Sequence, residues 1–183
     1  MNAATLLHTC CGPCASACIP VLKAEGRRPV LYFANSNIDT KEEWTRRFEA
    51  ARTLAQSEGV ELVSEPYDHA EWLEQVAKDF ENEPEKGARC VRCFRYNLQK
   101  TAQFAALHGF TSITTSLTIS PHKPSKVIFA AGESAAKGAA VAFLPFDFKK
   151  KNGFLKSVAR AKELGLYRQS YCGCEFSKCP QGS

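Results

Sequence analysis

Short apolar runs alternate with longer amphipathic segments along the chain, and this alternation restricts the fold more than any other feature. Thr5 to Thr9, Val30 to Ala34, Val60 to Val63, Ser112 to Leu117 and Val141 to Phe146 are rich in apolar or β-branched residues and bounded by turn or polar residues, the pattern of buried strands. Between them, Thr40 to Glu58 carries Trp44, Phe48, Ala51 and Ala55 at helical spacing. Phe94, Leu98, Ala102 and Ala105 repeat the spacing before a stop at Gly109. Further helices are expected at Asp68 to Phe80, Ser125 to Lys137 and Phe154 to Leu164. Strands separated by helices pair in parallel, so the expected class is α/β: an open parallel sheet of about five strands with helices on both faces.

In such a sheet, ligands gather beyond the carboxyl ends of the strands. The loops there contain Cys10 and Cys11 after the first strand, Asn35 and Asn37 after the second, Thr118 to Pro121 after the fourth and Asp147 after the fifth. From Tyr167 onward periodicity is lost, and this Cys-containing tail is expected to fold back over the domain. The length of 183 residues suits one core, so residues 1–183 are expected to form a single domain. With 44% hydrophobic and 23% charged residues the composition is that of a soluble globule, and no apolar run approaches the ~20 residues that span a bilayer. Leu6 and Leu7 run straight into His8 and the cysteines, without the long apolar stretch of a signal peptide, so a cytoplasmic location is expected. The net charge of +5 permits a polyanionic partner without requiring one.

Nine cysteines in a cytoplasmic protein point to metal binding or redox chemistry, because thiols there are kept reduced. Cys10, Cys11 and Cys14 form C-C-x-x-C at a strand-to-helix turn, with Gly12 read as permitting a tight bend and Pro13 suited to a first helical turn. Thiols at a helix N-terminus favour the thiolate, the form that ligates metal or attacks. Cys18 is read as a core thiol and Cys179 as incidental. Cys90-Val91-Arg92-Cys93 is a second pair, read as lying just ahead of the helix that begins near Phe94. Two such pairs can supply four sulfurs to a [4Fe–4S] cluster or to zinc, and coordination number does not separate the two. Cys172-Gly173-Cys174 is a C-x-C, whose strained disulfide would be easily reduced; it suits a redox pair, or further metal ligands.

The sequence resembles the non-cobalamin epoxyqueuosine reductase family, the QueH type, over nearly its whole length. The resemblance is carried by Leu7-His8-Thr9-Cys10-Cys11-Gly12-Pro13-Cys14, Tyr32-Phe33-Ala34-Asn35-Ser36-Asn37-Ile38, and Glu83-Pro84-Glu85 leading to Arg89-Cys90-Val91-Arg92-Cys93-Phe94. It continues through Thr114-Thr115-Ser116-Leu117-Thr118-Ile119-Ser120-Pro121, Asp147-Phe148-Lys149-Lys150, and Leu166-Tyr167-Arg168-Gln169-Ser170-Tyr171-Cys172-Gly173-Cys174. It implies a HUP or Rossmann-like fold, and a [4Fe–4S] cluster held by Cys10, Cys11, Cys90 and Cys93. An adjacent mononuclear iron, held or adjoined by Cys14, is also implied. The implied reaction is reduction of epoxyqueuosine to queuosine at the wobble position of tRNA, with electrons from an external donor.

Such a reaction needs an acid for the departing oxygen, and Asp147, Tyr171 and Cys174 are candidates. Lys149, Lys150, Lys151 and Arg168 are candidate phosphate contacts. Tyr32, Phe33, Tyr167 and Tyr171 are candidate stacking rings, and Asn35 and Asn37 have the donors and acceptors to read a hydroxylated ring or a base edge. The competing reading is a zinc-stabilised RNA-binding module without catalysis.

Overall fold

The computed structural model describes residues 3–178, so Cys179 lies outside the described residues. Five parallel strands, β1 (Ala4–His8), β2 (Arg28–Phe33), β3 (Glu61–Ser64), β4 (Ser112–Thr115) and β5 (Ala142–Phe143), form one sheet in the order β3-β2-β1-β4-β5. The helices are α1 (Gly12–Ser16), α2 (Cys18–Ala24), α3 (Lys41–Glu58), α4 (His69–Trp72), α5 (Ala88–Leu107), α6 (Ser125–Gly138) and α7 (Gly153–Glu163). The α/β expectation is met, with α4 opening into one wider turn over Leu73–Ala77.

Alternate residues of the central strands supply the two cores. Leu6, Val30, Tyr32 and Ile113 face Leu98 and Ala102 of α5 and Ile128 and Ala131 of α6. Leu7 and Leu31 face the opposite way, onto Ile19, Leu22, Ala50, Leu54 and Ala161 of α2, α3 and α7. Each fully buried aliphatic side chain contributes roughly 1.5–3 kcal/mol relative to exposure. The chain leaves β1 toward β2 and β3, then returns to β1's other side as β4. A crevice therefore opens beyond the carboxyl ends of β1 and β4, the switch point at which such sheets bind ligands.

Three elements differ from the sequence expectation. α5 begins at Ala88, so Cys90 and Cys93 lie in its first two turns and not ahead of it. Its start carries no capping side chain at Gly87; the Ala88 N–H is satisfied by Glu83 Oε2 at 2.9 Å, which local pattern does not reveal. β4 stops at Thr115, whose Oγ1 accepts the Leu117 N–H at 3.1 Å and tightens the chain into a 3₁₀ turn at Ser116–Ile119. β5 is cut to Ala142–Phe143 because Pro145 has no N–H to extend the ladder. Among the described residues no helix is long and apolar enough to cross a membrane.

Candidate active site

β1 delivers the first sulfurs directly to the switch point. Cys11 is the N-cap of α1, in extended backbone conformation, and its Sγ accepts the Cys14 N–H at 3.2 Å. Across the crevice, Ser116 follows β4; its Oγ accepts the Cys10 N–H at 3.1 Å and lies 3.3 Å from Cys10 Sγ as donor. Cys10, Cys11 and Cys14 thus hold their sulfurs within 4.8 Å of one another. Gly12 makes no tight bend. It is helical, and a Cβ there would stand 2.6 Å from the Ala50 carbonyl carbon and oxygen, so glycine is needed for α1 to lie against the α3 backbone.

Within the trio, Cys10 is the thiol whose anion is favoured. Hydrogen bonds from the Cys11 and Cys14 thiols, with help from Lys123, hold Cys10 well below the usual thiol range despite its burial. Burial pushes Cys11 up to about 12. Cys14 is also raised, first by its bonds to Cys10 and Cys11 and then by burial. One thiolate stabilised by two thiol donors is a sulfur set ready to exchange protons for metal.

A second set of thiols lines the same cavity, of about 480 Å³. On α5, Cys90 Sγ accepts the Lys86 N–H at 3.3 Å, and Cys93 Sγ lies 3.4 Å from Asn97 Nδ2. The tail adds Cys172 and Cys174. Burial raises the thiols of Cys90, Cys93 and Cys174, and the neighbouring sulfur of Cys172 adds to the rise in all three. Seven cysteines therefore face one cavity, with Cys90 and Cys93 outside the tight trio of Cys10, Cys11 and Cys14. Cys18 is fully buried beneath them, a core thiol as its sequence context suggests.

The other predicted residues divide. Asn37, Arg168 and Tyr171 line the cavity. Asn35 does not: it is buried and its Nδ2 donates to Thr9 O at 2.8 Å, tying the end of β2 to that of β1. Asp147 also stays out of the cavity lining, accepting from Ser125 Oγ at 2.9 Å at the start of α6. Lys149 is committed to Lys123 O at 2.7 Å and Ser125 Oγ at 2.9 Å, whereas Lys150 and Lys151 are exposed. Tyr32 and Phe33 are core residues, Tyr32 packing 4.6 Å from Phe104, so neither ring is free to stack on a base. Tyr167 OH is bound to Glu43 Oε2 at 2.8 Å.

Sequence reasoning missed four residues that shape the site. Lys123 lines the cavity; burial opposes its charge, but the neighbouring sulfurs of Cys172, Cys10, Cys14 and Cys11 outweigh this and hold its pKa above the ordinary lysine value. Trp72 is fully buried beside Cys93, and its indole N–H favours the Cys93 thiolate. Arg89 donates to the carbonyls of Phe80, Glu81 and Glu83, fixing the loop that leads into α5. Arg47 binds the carbonyls of Tyr171 and Cys172. Only the sequence block around Arg89 hinted at any of these.

The family model described as epoxyqueuosine reductase QueH matches residues 5–179. An epoxyqueuosine reductase QueH of Streptococcus pyogenes is 40% identical over 183 residues, covering 97% of this chain and 71% of that protein. Another, from Dehalococcoides mccartyi, is 35% identical over 174 residues, with 94% and 91% covered. Among solved structures, the U34-tRNA thiolase NcsA of Methanococcus maripaludis with its [4Fe–4S] cluster superposes with TM-score 0.59 at 13% identity, covering 97% of this chain and 62% of that one. A predicted subunit of tRNA methyltransferase from Methanocaldococcus jannaschii gives TM-score 0.59 at 14% identity, with 86% and 74% covered. These two likenesses bear on the fold alone, an open parallel α/β sheet of Rossmann-like type. The sequence matches go further: the chain belongs to the QueH family of epoxyqueuosine reductases.

Proposed function

We propose that the cysteine-lined cavity is where epoxyqueuosine, at the wobble position of a tRNA, loses its epoxide oxygen to become queuosine. The observation that carries this reading is the convergence of seven cysteines and the Lys123 ammonium on a single cavity at the switch point. Opening both C–O bonds of the epoxide to leave an alkene consumes two electrons and two protons and releases water. Residues 1–183 act as one catalytic unit in the reducing cytoplasm, where free thiols persist.

Cys10, Cys11, Cys90 and Cys93 are the proposed ligands of a [4Fe–4S] cluster, and Cys14 of an adjacent mononuclear iron. The donor set suits them: soft thiols, one of them already favouring thiolate, next to the half-buried Lys123 ammonium. The buried Trp72 Nε1, without a hydrogen-bond acceptor among the described residues, adds a donor beside Cys93 that favours anionic sulfur. When bound, the cluster supplies single electrons, and the second iron a Lewis acid for the epoxide oxygen.

The chain's own groups complete the balance. Oxidation of the Cys172 and Cys174 thiols to a disulfide releases two electrons and two protons, the amounts that the epoxide takes up; an external donor then restores the dithiol. Cys174 is the favoured acid among the candidates, because burial keeps its thiol protonated and it lines the cavity. Tyr171 has its proton committed to Asp39 Oδ1 at 2.7 Å, and Asp147 faces Ser125. Exposed Lys150 and Arg168 suit phosphates of the anticodon loop, and Asn37 suits a hydroxylated ring.

The test is nucleoside mass analysis of tRNA from cells lacking this protein. Accumulated epoxyqueuosine is expected; unchanged queuosine in cells without another such reductase would refute the assignment. Colourless, anaerobically purified protein carrying one tightly bound zinc would instead support a non-catalytic RNA-binding module.

A further inference from the structure

α3 carries a buried ion pair outside the sulfur chemistry. Glu43 and Arg47 are one turn apart and 6% and 2% exposed, and Arg47 Nε donates to Glu43 Oε1 at 2.7 Å. Thr40 and Glu43 have capping-box spacing, in which the glutamate turns back to the N-cap N–H. Thr40 Oγ1 accepts the Glu43 N–H at 3.2 Å, but the carboxylate is engaged elsewhere, Oε1 by Arg47 and Oε2 by Tyr167 OH at 2.8 Å. A buried pair of this kind is often no more stabilising than apolar residues of the same volume, so fold stability alone does not account for it.

The remaining Arg47 donors reach the tail. Nη1 donates to Cys172 O at 2.8 Å and Nη2 to Tyr171 O at 3.2 Å, while the guanidinium lies 5.1 Å from the centre of the Tyr171 ring. One planar fork on two successive carbonyls fixes the direction of the backbone, which a single ammonium cannot do. Gly173 O accepts the Asp39 N–H at 3.0 Å, so the carbonyls of Tyr171, Cys172 and Gly173 are all held. Gly173 has φ +150°, and a Cβ there would stand 2.9 Å from Asn37 Nδ2 and 3.3 Å from Arg47 Nη1. The C-x-C backbone is thus pressed against α3 and the loop before it, with both its thiols lining the cavity.

We propose that the Glu43–Arg47 pair positions the Cys172–Cys174 dithiol: Glu43 orients the guanidinium, and the guanidinium holds the C-x-C segment so that both sulfurs stay in the cavity that holds Cys90 and Cys93. The inference rests on the reading above that these thiols deliver two electrons and two protons to the epoxide. Arg47 acts through the tail backbone and is a positioning residue.

The test uses iron-loaded, reduced full-length protein treated with iodoacetamide, with alkylation read by peptide mass and turnover measured on tRNA carrying epoxyqueuosine. Arg47→Gln is expected to speed alkylation of Cys174 at least tenfold while Cys93 alkylation and iron content stay at wild-type values. Its kcat should fall at least tenfold with KM for tRNA within about twofold, since Arg47 is 2% exposed and its fork is spent on tail carbonyls, not on phosphates. Arg47→Lys, which keeps the charge but not the fork, should fall between. Two further variants guard against misfolding: Glu43→Gln with Arg47→Gln leaves no buried unpaired carboxylate, and Gly173→Ala displaces the tail with the ion pair intact. Wild-type Cys174 alkylation in Arg47→Gln and Gly173→Ala overturns the proposal, as does wild-type behaviour of Arg47→Lys. Faster alkylation with undiminished kcat supports the clamp and refutes electron delivery by the dithiol.

Discussion

Gly12→Ala places a methyl group where the structure has room for none. The added Cβ would stand 2.6 Å from both the carbonyl carbon and oxygen of Ala50, and 2.9 Å from the Ala51 nitrogen, all backbone atoms of α3 that cannot rotate aside. Ordinary carbon contacts are ~3.5–4.0 Å, so α1 must withdraw from α3 by about 1 Å. Overpacking of this kind costs about 1–3 kcal/mol. At about 2–4 °C per kcal/mol for a chain of this size, the reduced metal-free protein should melt about 2–12 °C lower. The same movement shifts Cys11 and Cys14, which flank Gly12 and Pro13, so iron taken up on anaerobic reconstitution should fall as well. Gly138→Ala is the control: nothing lies within 4 Å of its Cβ, and alanine at the end of α6 should be neutral or slightly stabilising. Thermal unfolding followed by circular dichroism, with iron assay of the same samples, reads both effects. A Gly12→Ala protein that melts with the wild type and binds its full iron would refute the reasoning.

Cys90→Ser and Cys93→Ser should each lose iron and activity together, since a hydroxyl replaces a soft thiolate; full iron content would remove them from the ligand set. Cys172→Ser and Cys174→Ser should keep the cluster spectrum but abolish turnover, and wild-type activity in both would eliminate the redox role. Lys150→Ala with Arg168→Ala should weaken tRNA binding and flatten its dependence on log salt by about 0.7 per lost phosphate contact, a change read by titration at several salt concentrations; an unchanged slope would mean that neither side chain meets RNA. Burial, the largest influence on His8, lowers its pKa from 6.5 to about 4. The unfolded chain then binds a proton that the folded one refuses, so this contribution is present in full above pH 6.5 and is lost as pH falls toward 4. The loss is on the order of 3 kcal/mol, and His8→Gln should remove that part of the acid sensitivity in urea titrations of the metal-free protein. Identical pH dependence in the two proteins would contradict it.

What the sequence made legible was local. Cys10, Cys11, Pro13 and Cys14 sit where a strand turns into a helix, and their spacing alone sets the sulfurs at the N-terminus of α1. The central strands β1 and β2 announced themselves because both of their faces are buried and each reads as a nearly continuous apolar run. The start of α5 did not, because its first turns carry Cys90, Arg92 and Cys93 toward the cavity and the turn before it, and the apolar stripe begins only at Phe94. Arg47 could not be found by spacing, since its partner Cys172 lies 125 residues away and one arginine in an amphipathic helix reads as solvated. Lys123 became significant only when the fold brought it to Cys10 and Cys172. Asn35 and Asp147 misled for the opposite reason: both follow strands at the functional edge, yet Asn35 spends its amide on the end of β1 and Asp147 its carboxylate on the start of α6.

Removal of oxygen from epoxyqueuosine in this cavity can be read directly from the product. Anaerobically iron-loaded protein, a chemical reductant and tRNA bearing epoxyqueuosine should be incubated together, and the tRNA digested to nucleosides for mass analysis. The modified nucleoside is expected to lose one oxygen atom and become queuosine, with none formed when Cys90 and Cys93 are both serine. Epoxyqueuosine left intact by protein shown to be iron-loaded and reduced, across a range of reductants, would contradict it.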